Sequence, residues 1–204
     1  MMSDDTYKTI TKTSEGIYKD RGSKFIGFAI PATSEEQAKA ELDELKKRYH
    51  DARHHCFAYR LGWDYAIYRI NDDGEPSGTA GKPIFGQIRS FGLTNVLIVV
   101  IRYFGGVKLG VRGLIDAYKG AAYSALKNNT IETLTVKERL HLHFGYAQMG
   151  RVMHIIKEYK LTQLKTDLQL ECDIEIAVRQ SKSLEIQNVF QAIEHVKISS
   201  KGLI

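Results

Sequence analysis

Two glycine-rich stretches carry most of the residues whose types and spacing are suited to chemistry. The first glycine-rich stretch, residues 73–83 (DGEPSGTAGKP), places three glycines, two hydroxyls and a lysine ahead of a predicted helix. Free N–H groups and the dipole at a helix amino terminus favour an anion such as phosphate. The candidate phosphate-binding residues are Gly78, Thr79, Gly81 and Lys82, with Asp73, Glu75 and Ser77 in support. Tight turns that need positive φ explain the glycines equally well.

This first stretch differs from a nucleotide-binding P-loop. That motif needs a glycine where Pro76 stands and a serine or threonine where Pro83 stands. The sequence therefore disfavours an NTPase.

The second glycine-rich stretch, residues 102–113 (RYFGGVKLGVRG), follows a predicted buried strand. Its glycines let the backbone approach a ligand, and its cations can reach phosphate. The candidates are Arg102, Tyr103, Gly105, Gly106, Lys108 and Arg112, and either Tyr103 or Phe104 would stack on a base. Arg102 either contacts a ligand or pairs with a carboxylate, Asp73 or Glu75. The G-x-G-x-x-G spacing of dinucleotide-binding folds is missing.

A third segment, residues 51–56, offers Arg53 and His54 as supporting residues. Neighbouring histidines on a strand point to opposite faces, and no second ligand cluster accompanies His54 and Cys56, so no metal site is predicted. Carboxylates are plentiful, but none is identifiable as a general acid or base, and no nucleophile elbow or triad is evident. We expect no catalytic residue, no metal and no cofactor.

The elements that would position these residues form an α+β chain of two domains. For the first part, the sequence pattern predicts strands within 7–31, a helix over 34–49, a hairpin over 53–61 and 65–70, a helix over 78–91, a strand over 95–104 and a helix over 111–128. In the tail, apolar periodicity predicts β-α-β-β-α-β, a ferredoxin-like order. The predicted domains are residues 1–132 and 133–204.

The positive charge is concentrated in the segment that holds both stretches. The chain of 204 residues has a net charge of +5, yet residues 76–131 carry seven basic side chains against one acid. This asymmetry is typical of a polyanion-binding face, although solvated helix faces produce it too.

Location follows from what the chain lacks. The longest apolar run, residues 96–101, is far shorter than the ~18 residues of a membrane span. The amino terminus is polar and acidic, unlike a signal peptide, and the two cysteines suggest free thiols. We expect a cytoplasmic protein with no membrane attachment.

Both stretches, together with DARHHCFAY at 51–59, resemble the IMPACT family, whose bacterial members are called the YigZ family. The resemblance implies an N-terminal α/β sandwich like the second domain of a small-subunit ribosomal protein and domain four of elongation factor G. It implies a ferredoxin-like C-terminal domain similar to domain five of that factor. Eukaryotic members restrain a starvation-responsive kinase through an extra N-terminal domain, which we expect this chain to lack.

Two functional hypotheses follow. The first is a non-enzymatic RNA- or ribosome-binding protein linked to translation, with cations spread over an open face. Whether it also binds a protein of the translation machinery is left open. The alternative is an enzyme that acts on a small phosphorylated substrate in a closed pocket. An exposed apolar patch without basic neighbours would instead indicate a protein-interaction module. The oligomeric state is open, as is whether the two stretches meet in space.

Overall fold

The computed structural model describes residues 5–204. Part of the polar amino terminus considered above, residues 1–4, therefore lies outside the described residues. Contacts divide the chain into two compact units, one of residues 7–134 and one of residues 135–204 with residues 5 and 6. None of the described helices is long and apolar enough to cross a membrane.

The larger unit is a sheet with helices on both faces. Its elements are β1 (Thr6–Ile10), β2 (Ser14–Asp20), β3 (Ser23–Pro31), α1 (Glu35–Arg48), β4 (His54–Leu61), β5 (Ile67–Asn71), α2 (Gly81–Ser90), β6 (Val96–Tyr103), α3 (Gly110–Lys127) and β7 (Ile131–Thr135). Five strands form one sheet in the order β2-β3-β6-β4-β5, with β6 in the centre. The central strand pairs antiparallel with both β3 and β4.

The central strand is apolar throughout because each of its faces meets a different core. Val96, Ile98 and Val100 pack with residues of α2 and α3. The alternate residues Leu97, Val99 and Ile101 pack with residues of α1. Side chains alternate between the faces of a strand, so both sets must be apolar when both faces are covered. The predicted buried strand is confirmed.

Helix α1 begins where its capping residue predicts. The Ser34 hydroxyl accepts a hydrogen bond from the backbone N–H of Gln37, at 3.2 Å. Strand β1 forms a separate two-stranded sheet with β7, a strand that the periodicity did not predict.

The smaller unit has the predicted β-α-β-β-α-β order. Its elements are β8 (Lys137–Gly145), α4 (Met149–Glu158), β9 (Thr162–Leu168), β10 (Glu171–Arg179), α5 (Ser183–Gln191) and β11 (Val196–Leu203). The antiparallel sheet has the order β11-β8-β10-β9. Apolar residues at alternate positions of β8 and β10 form its core with α4 and α5. On the other face, His141 and His143 lie within 3.0 Å of Asp173 Oδ1 and are half-buried.

Candidate functional site

The first glycine-rich stretch is organised around a carboxylate of the protein itself. Asp72 accepts hydrogen bonds from the backbone N–H groups of Gly78, Ala80 and Gly81, at 2.8, 3.0 and 2.8 Å. Burial acts to raise the pKa of Asp72, but these N–H groups and Lys82 outweigh it, and the pKa lies below its ordinary value. An internal anion therefore occupies the start of α2, where the sequence predicted a ligand.

Other candidates in this stretch also have structural partners. The Thr79 hydroxyl is buried and donates to the Pro76 carbonyl, at 2.7 Å. A Cβ on Gly81 would lie 2.9 Å from the backbone nitrogen of Asn71, so glycine allows α2 to approach β5. Gly78 has a φ of +79°.

Arg102 and Glu75 form a buried ion pair at the end of β6. Glu75 Oε1 accepts from Arg102 Nη1 and also from the Tyr118 hydroxyl, at 2.8 Å. The Cys56 thiol donates to Tyr118 in turn, at 3.3 Å. Burial raises the pKa of both Cys56 and Tyr118 far above their ordinary values. Of the alternatives left open for Arg102, carboxylate pairing is the one observed. The buried Arg102 Nε has no hydrogen-bond partner among the residues that the structure describes.

His54 lies beside this ion pair. Its Nδ1 is 2.7 Å from the Asp73 carbonyl oxygen, and its Nε2 is 4.0 Å from Glu75 Oε1. Asp73 also holds the start of β4, because its carboxylate accepts from the backbone N–H of His55 at 2.6 Å. The segment after β5 thus fixes the orientation of the His54 ring.

Tyr103 and Phe104 point in different directions. Tyr103 packs against the α1 side of the sheet, and its hydroxyl donates to Asp51 at 2.7 Å. That hydrogen bond is the main reason why the pKa of Tyr103 is raised to about 12. Phe104 is 56% exposed, and its ring centre is 5.6 Å from the Arg102 guanidinium. Of the two aromatics considered for stacking, Phe104 is the one beside Arg102.

In the second glycine-rich stretch, the two adjacent glycines have different environments. A Cβ on Gly105 would lie 1.9 Å from the carbonyl carbon of Gly22, and the Gly105 N–H donates to the Ser23 hydroxyl at 3.1 Å. Gly106 has a φ of +88° and open space where a Cβ would be. Gly105 therefore permits the loop to pack on the turn between β2 and β3, and Gly106 permits the turn into α3.

The start of helix α3 has no side-chain cap among residues 5–204. Its cap position is Leu109, whose side chain makes no hydrogen bond, and its first turn contains no acidic residue. Gly110, the first residue of the helix, has a φ of +72°. The free N–H groups of the first turn are therefore without the internal carboxylate that α2 has.

Both stretches meet at one cavity of about 510 Å³, which we call the α3 cleft. It is lined by Arg53, His54, Glu75, Pro76, Arg102, Phe104, Lys108, Leu109, Gly110, Val111 and Leu114. The described part of the chain gives Arg53 and Lys108 no ion pair, and both are exposed.

Not all predicted site residues reach this cleft. It brings together Arg53, His54, Glu75, Arg102 and Lys108. Outside its lining lie Gly78, Thr79, Gly81, Lys82, Tyr103, Gly105, Gly106, Arg112, Asp73 and Ser77. Sequence reasoning missed Asp72, which accepts hydrogen bonds from the first stretch, and Tyr118, which donates to Glu75. The Asn-Asp-Asp-Gly turn at 71–74 contained the signal for Asp72, because such side chains cap nearby N–H groups.

Comparison with known proteins identifies close relatives. A family model described as the Impact N-terminal domain matches residues 21–126. The chain is 33% identical over 153 residues to the IMPACT family member YvyE of Bacillus subtilis, covering 75% of this chain and 70% of that protein. It is 33% identical over 165 residues to the IMPACT family member YigZ of Escherichia coli, covering 80% of this chain and 81% of that protein.

A solved structure has a similar fold. The crystal structure of a hypothetical protein superposes with a TM-score of 0.72 and 27% sequence identity. The match covers 95% of this chain and 96% of the other. The similarity therefore extends beyond the part that the family model covers.

Proposed function

Because the chain belongs to the IMPACT family, we propose that it is an RNA- or ribosome-binding protein that acts in translation and holds a backbone phosphate of single-stranded RNA in the α3 cleft. The observation that carries the proposal is the uncapped start of α3, which opens onto the cleft beside Lys108 and Arg53. We further propose that the two units correspond to the ribosomal-protein-like and ferredoxin-like domains, and that the protein acts in the cytoplasm.

Electrostatics support a phosphate at this position. The first-turn N–H groups of an α-helix carry a partial positive charge and bind anions. Lys108 and Arg53 add two full charges at the same cavity. Glu75 contributes little repulsion, since Arg102 pairs with it.

Phe104 suits the base of a nucleotide. The Phe104 ring is 56% exposed and lines the same cleft as Arg53 and Lys108. Stacking on aromatic rings is the common way to bind unpaired bases without sequence preference. Phosphate at α3 and a base on Phe104 together account for one nucleotide.

The test is the salt dependence of RNA binding. We expect the double variant Arg53→Ala/Lys108→Ala to bind an unpaired RNA oligonucleotide about tenfold more weakly and to lower the salt slope by about 0.7, since both cations act on the one phosphate in the cleft and each neutralised phosphate contributes about 0.7. Fluorescence anisotropy with the free protein and co-sedimentation with ribosomes across a salt series measure both quantities.

A matched control comes from the same helix. Lys119→Ala/Lys127→Ala removes the same charge from exposed positions of α3 that do not line the cleft. We expect this control to bind like the wild type. Equal losses in the two double variants would mean that net charge, and not the cleft, binds RNA, and would refute the proposal.

One observation favours a second candidate, an enzyme acting on a small phosphorylated substrate. The cleft is concave and places the His54 imidazole next to the Glu75 carboxylate. Calorimetric titration with nucleoside monophosphates and sugar phosphates tests this candidate. Tight binding of one such compound together with no salt-dependent binding of RNA would replace the RNA proposal with this one.

A further inference from the structure

The orientation of His54 fixes what its ring presents to the α3 cleft. A carbonyl oxygen can only accept, so His54 Nδ1, at 2.7 Å from the Asp73 carbonyl, must carry the proton. In the neutral ring, Nε2 is then an unprotonated acceptor. His54 lines the cleft and its Nε2 is 4.0 Å from Glu75 Oε1, which already accepts from Arg102 and Tyr118.

The rest of the cleft offers mainly donors. Arg53, Lys108 and the first-turn N–H groups of α3 donate, as does the Arg102 guanidinium. These groups satisfy phosphate oxygens, which only accept. An acceptor among them matches a ligand that also has a donor. Along the sugar–phosphate backbone, the ribose 2′-hydroxyl is the one donor, and DNA lacks it.

We propose that His54 Nε2 accepts a hydrogen bond from a ribose 2′-hydroxyl and so makes the α3 cleft prefer RNA to DNA. This inference rests on the proposed function, because it assumes that the cleft holds a nucleotide. His54 is then a specificity-determining residue, and the cations determine affinity without telling the two polymers apart.

The experiment compares three oligonucleotides of one sequence: RNA, DNA, and RNA with 2′-fluoro sugars. The fluoro sugar keeps the pucker of RNA but has no hydroxyl proton. For the wild type at neutral pH we expect RNA to bind about 3- to 10-fold more tightly than both others, the effect of one hydrogen bond. Anisotropy titrations at constant salt and neutral pH measure the three affinities.

Two variants test whether the preference for RNA depends on His54 or on the loss of any histidine. His54→Phe should bind RNA, DNA and fluoro-RNA with equal affinity, whereas His154→Phe, at an exposed position of α4, should retain the wild-type preference. The comparison of RNA with fluoro-RNA needs only the wild-type protein, so poor folding of His54→Phe would not prevent the test.

The outcomes distinguish this inference from the function on which it rests. Equal binding of RNA and fluoro-RNA by the wild type, with salt-dependent affinity intact, overturns the role of His54 and leaves the RNA proposal standing. A preference that His54→Phe retains overturns it as well. If no oligonucleotide binds in a salt-dependent manner, the proposed function itself fails.

Discussion

Helices α2 and α3 both follow a glycine-rich stretch, but their amino termini are in opposite states. At α2, the Asp72 carboxylate accepts three backbone N–H groups. At α3, no side chain in the described part of the chain caps the helix, and no acid lies in its first turn. The two segments look alike in sequence, yet one contains its own anion and the other faces a cavity lined by Lys108 and Arg53.

The difference shows that a glycine-rich helix start indicates a need for an anion without saying where that anion comes from. Four unsatisfied N–H groups begin every α-helix, and a side chain, water or a ligand can satisfy them. Where the chain supplies a carboxylate, the stretch is structural. Where it supplies cations and a cavity, the stretch is suited to binding.

The largest effect on stability should come from removing the Asp72 carboxylate, the internal anion at α2. Asp72→Ala leaves three N–H groups without their acceptor, and we expect it to lower the free energy of unfolding by about 3 kcal/mol, roughly 1 kcal/mol for each hydrogen bond. Urea denaturation followed by circular dichroism measures this change. A loss below about 1 kcal/mol would show that Asp72 does not hold the first stretch together.

Asp72 also predicts a pH dependence. Its folded-state pKa is lowered, so its contribution to stability is complete above its unfolded pKa of about 3.9 and is lost as the pH falls through the folded value. The difference in unfolding free energy between the wild type and Asp72→Asn should therefore be greatest near neutral pH and shrink in acid. A difference that grows with acidification would contradict this assignment.

The next largest effect on the free energy of unfolding should distinguish Gly105 from Gly106, the two adjacent glycines before α3. Gly105→Ala places a methyl group into the backbone of Gly22, and we expect a loss of about 2 kcal/mol. In Gly106→Ala the added methyl group has open space, so only the strain of the positive φ opposes it, and we expect a loss of stability of about 1 kcal/mol. Thermal and urea unfolding of both variants test this order, and the reverse order would contradict the packing of the loop on the β2–β3 turn.

The smallest change in stability should come from giving α3 an anion of its own. Val111→Glu puts a carboxylate in the exposed first turn, where it should stabilise the helix by about 0.5 kcal/mol. The same carboxylate should compete with phosphate and weaken RNA binding about tenfold. Denaturation and anisotropy measure the two effects on one protein.

Val111→Gln is the control, because it has the size of glutamate without the charge. It should change stability and RNA affinity little. If both variants weaken binding equally, bulk at the cleft mouth is responsible, and α3 does not act as an anion site.

Local patterns predicted much of the fold. Ser34 marked the start of α1, and the β-branched run at 95–104 marked a strand with two covered faces. These features depend on neighbours in sequence, so periodicity and capping rules suffice. The separate pairing of β1 with β7 depends on residues over a hundred positions apart, and no local pattern encodes it.

The site was predictable only in part, for a similar reason. Arg102, Lys108, Arg53 and His54 were identified by type and do line one cleft. Strand alternation indicates that Tyr103 and its neighbours face different sides, but which side has the cleft depends on which helices cover each face. Likewise, the turn at 71–74 offers several polar side chains, and only the folded backbone selects Asp72 as the cap.

The central position of β6 has a consequence for how the chain folds during synthesis. Its neighbours β3 and β4 come earlier in the chain, and each pairs with β6, which separates them in the sheet. Until residues 96–103 leave the ribosome, both strands expose apolar faces and unpaired edges. Such non-local pairing slows folding, and exposed edges favour aggregation. We therefore expect nascent chains that end before residue 96 to bind chaperones, and chains that extend past α3 to be released.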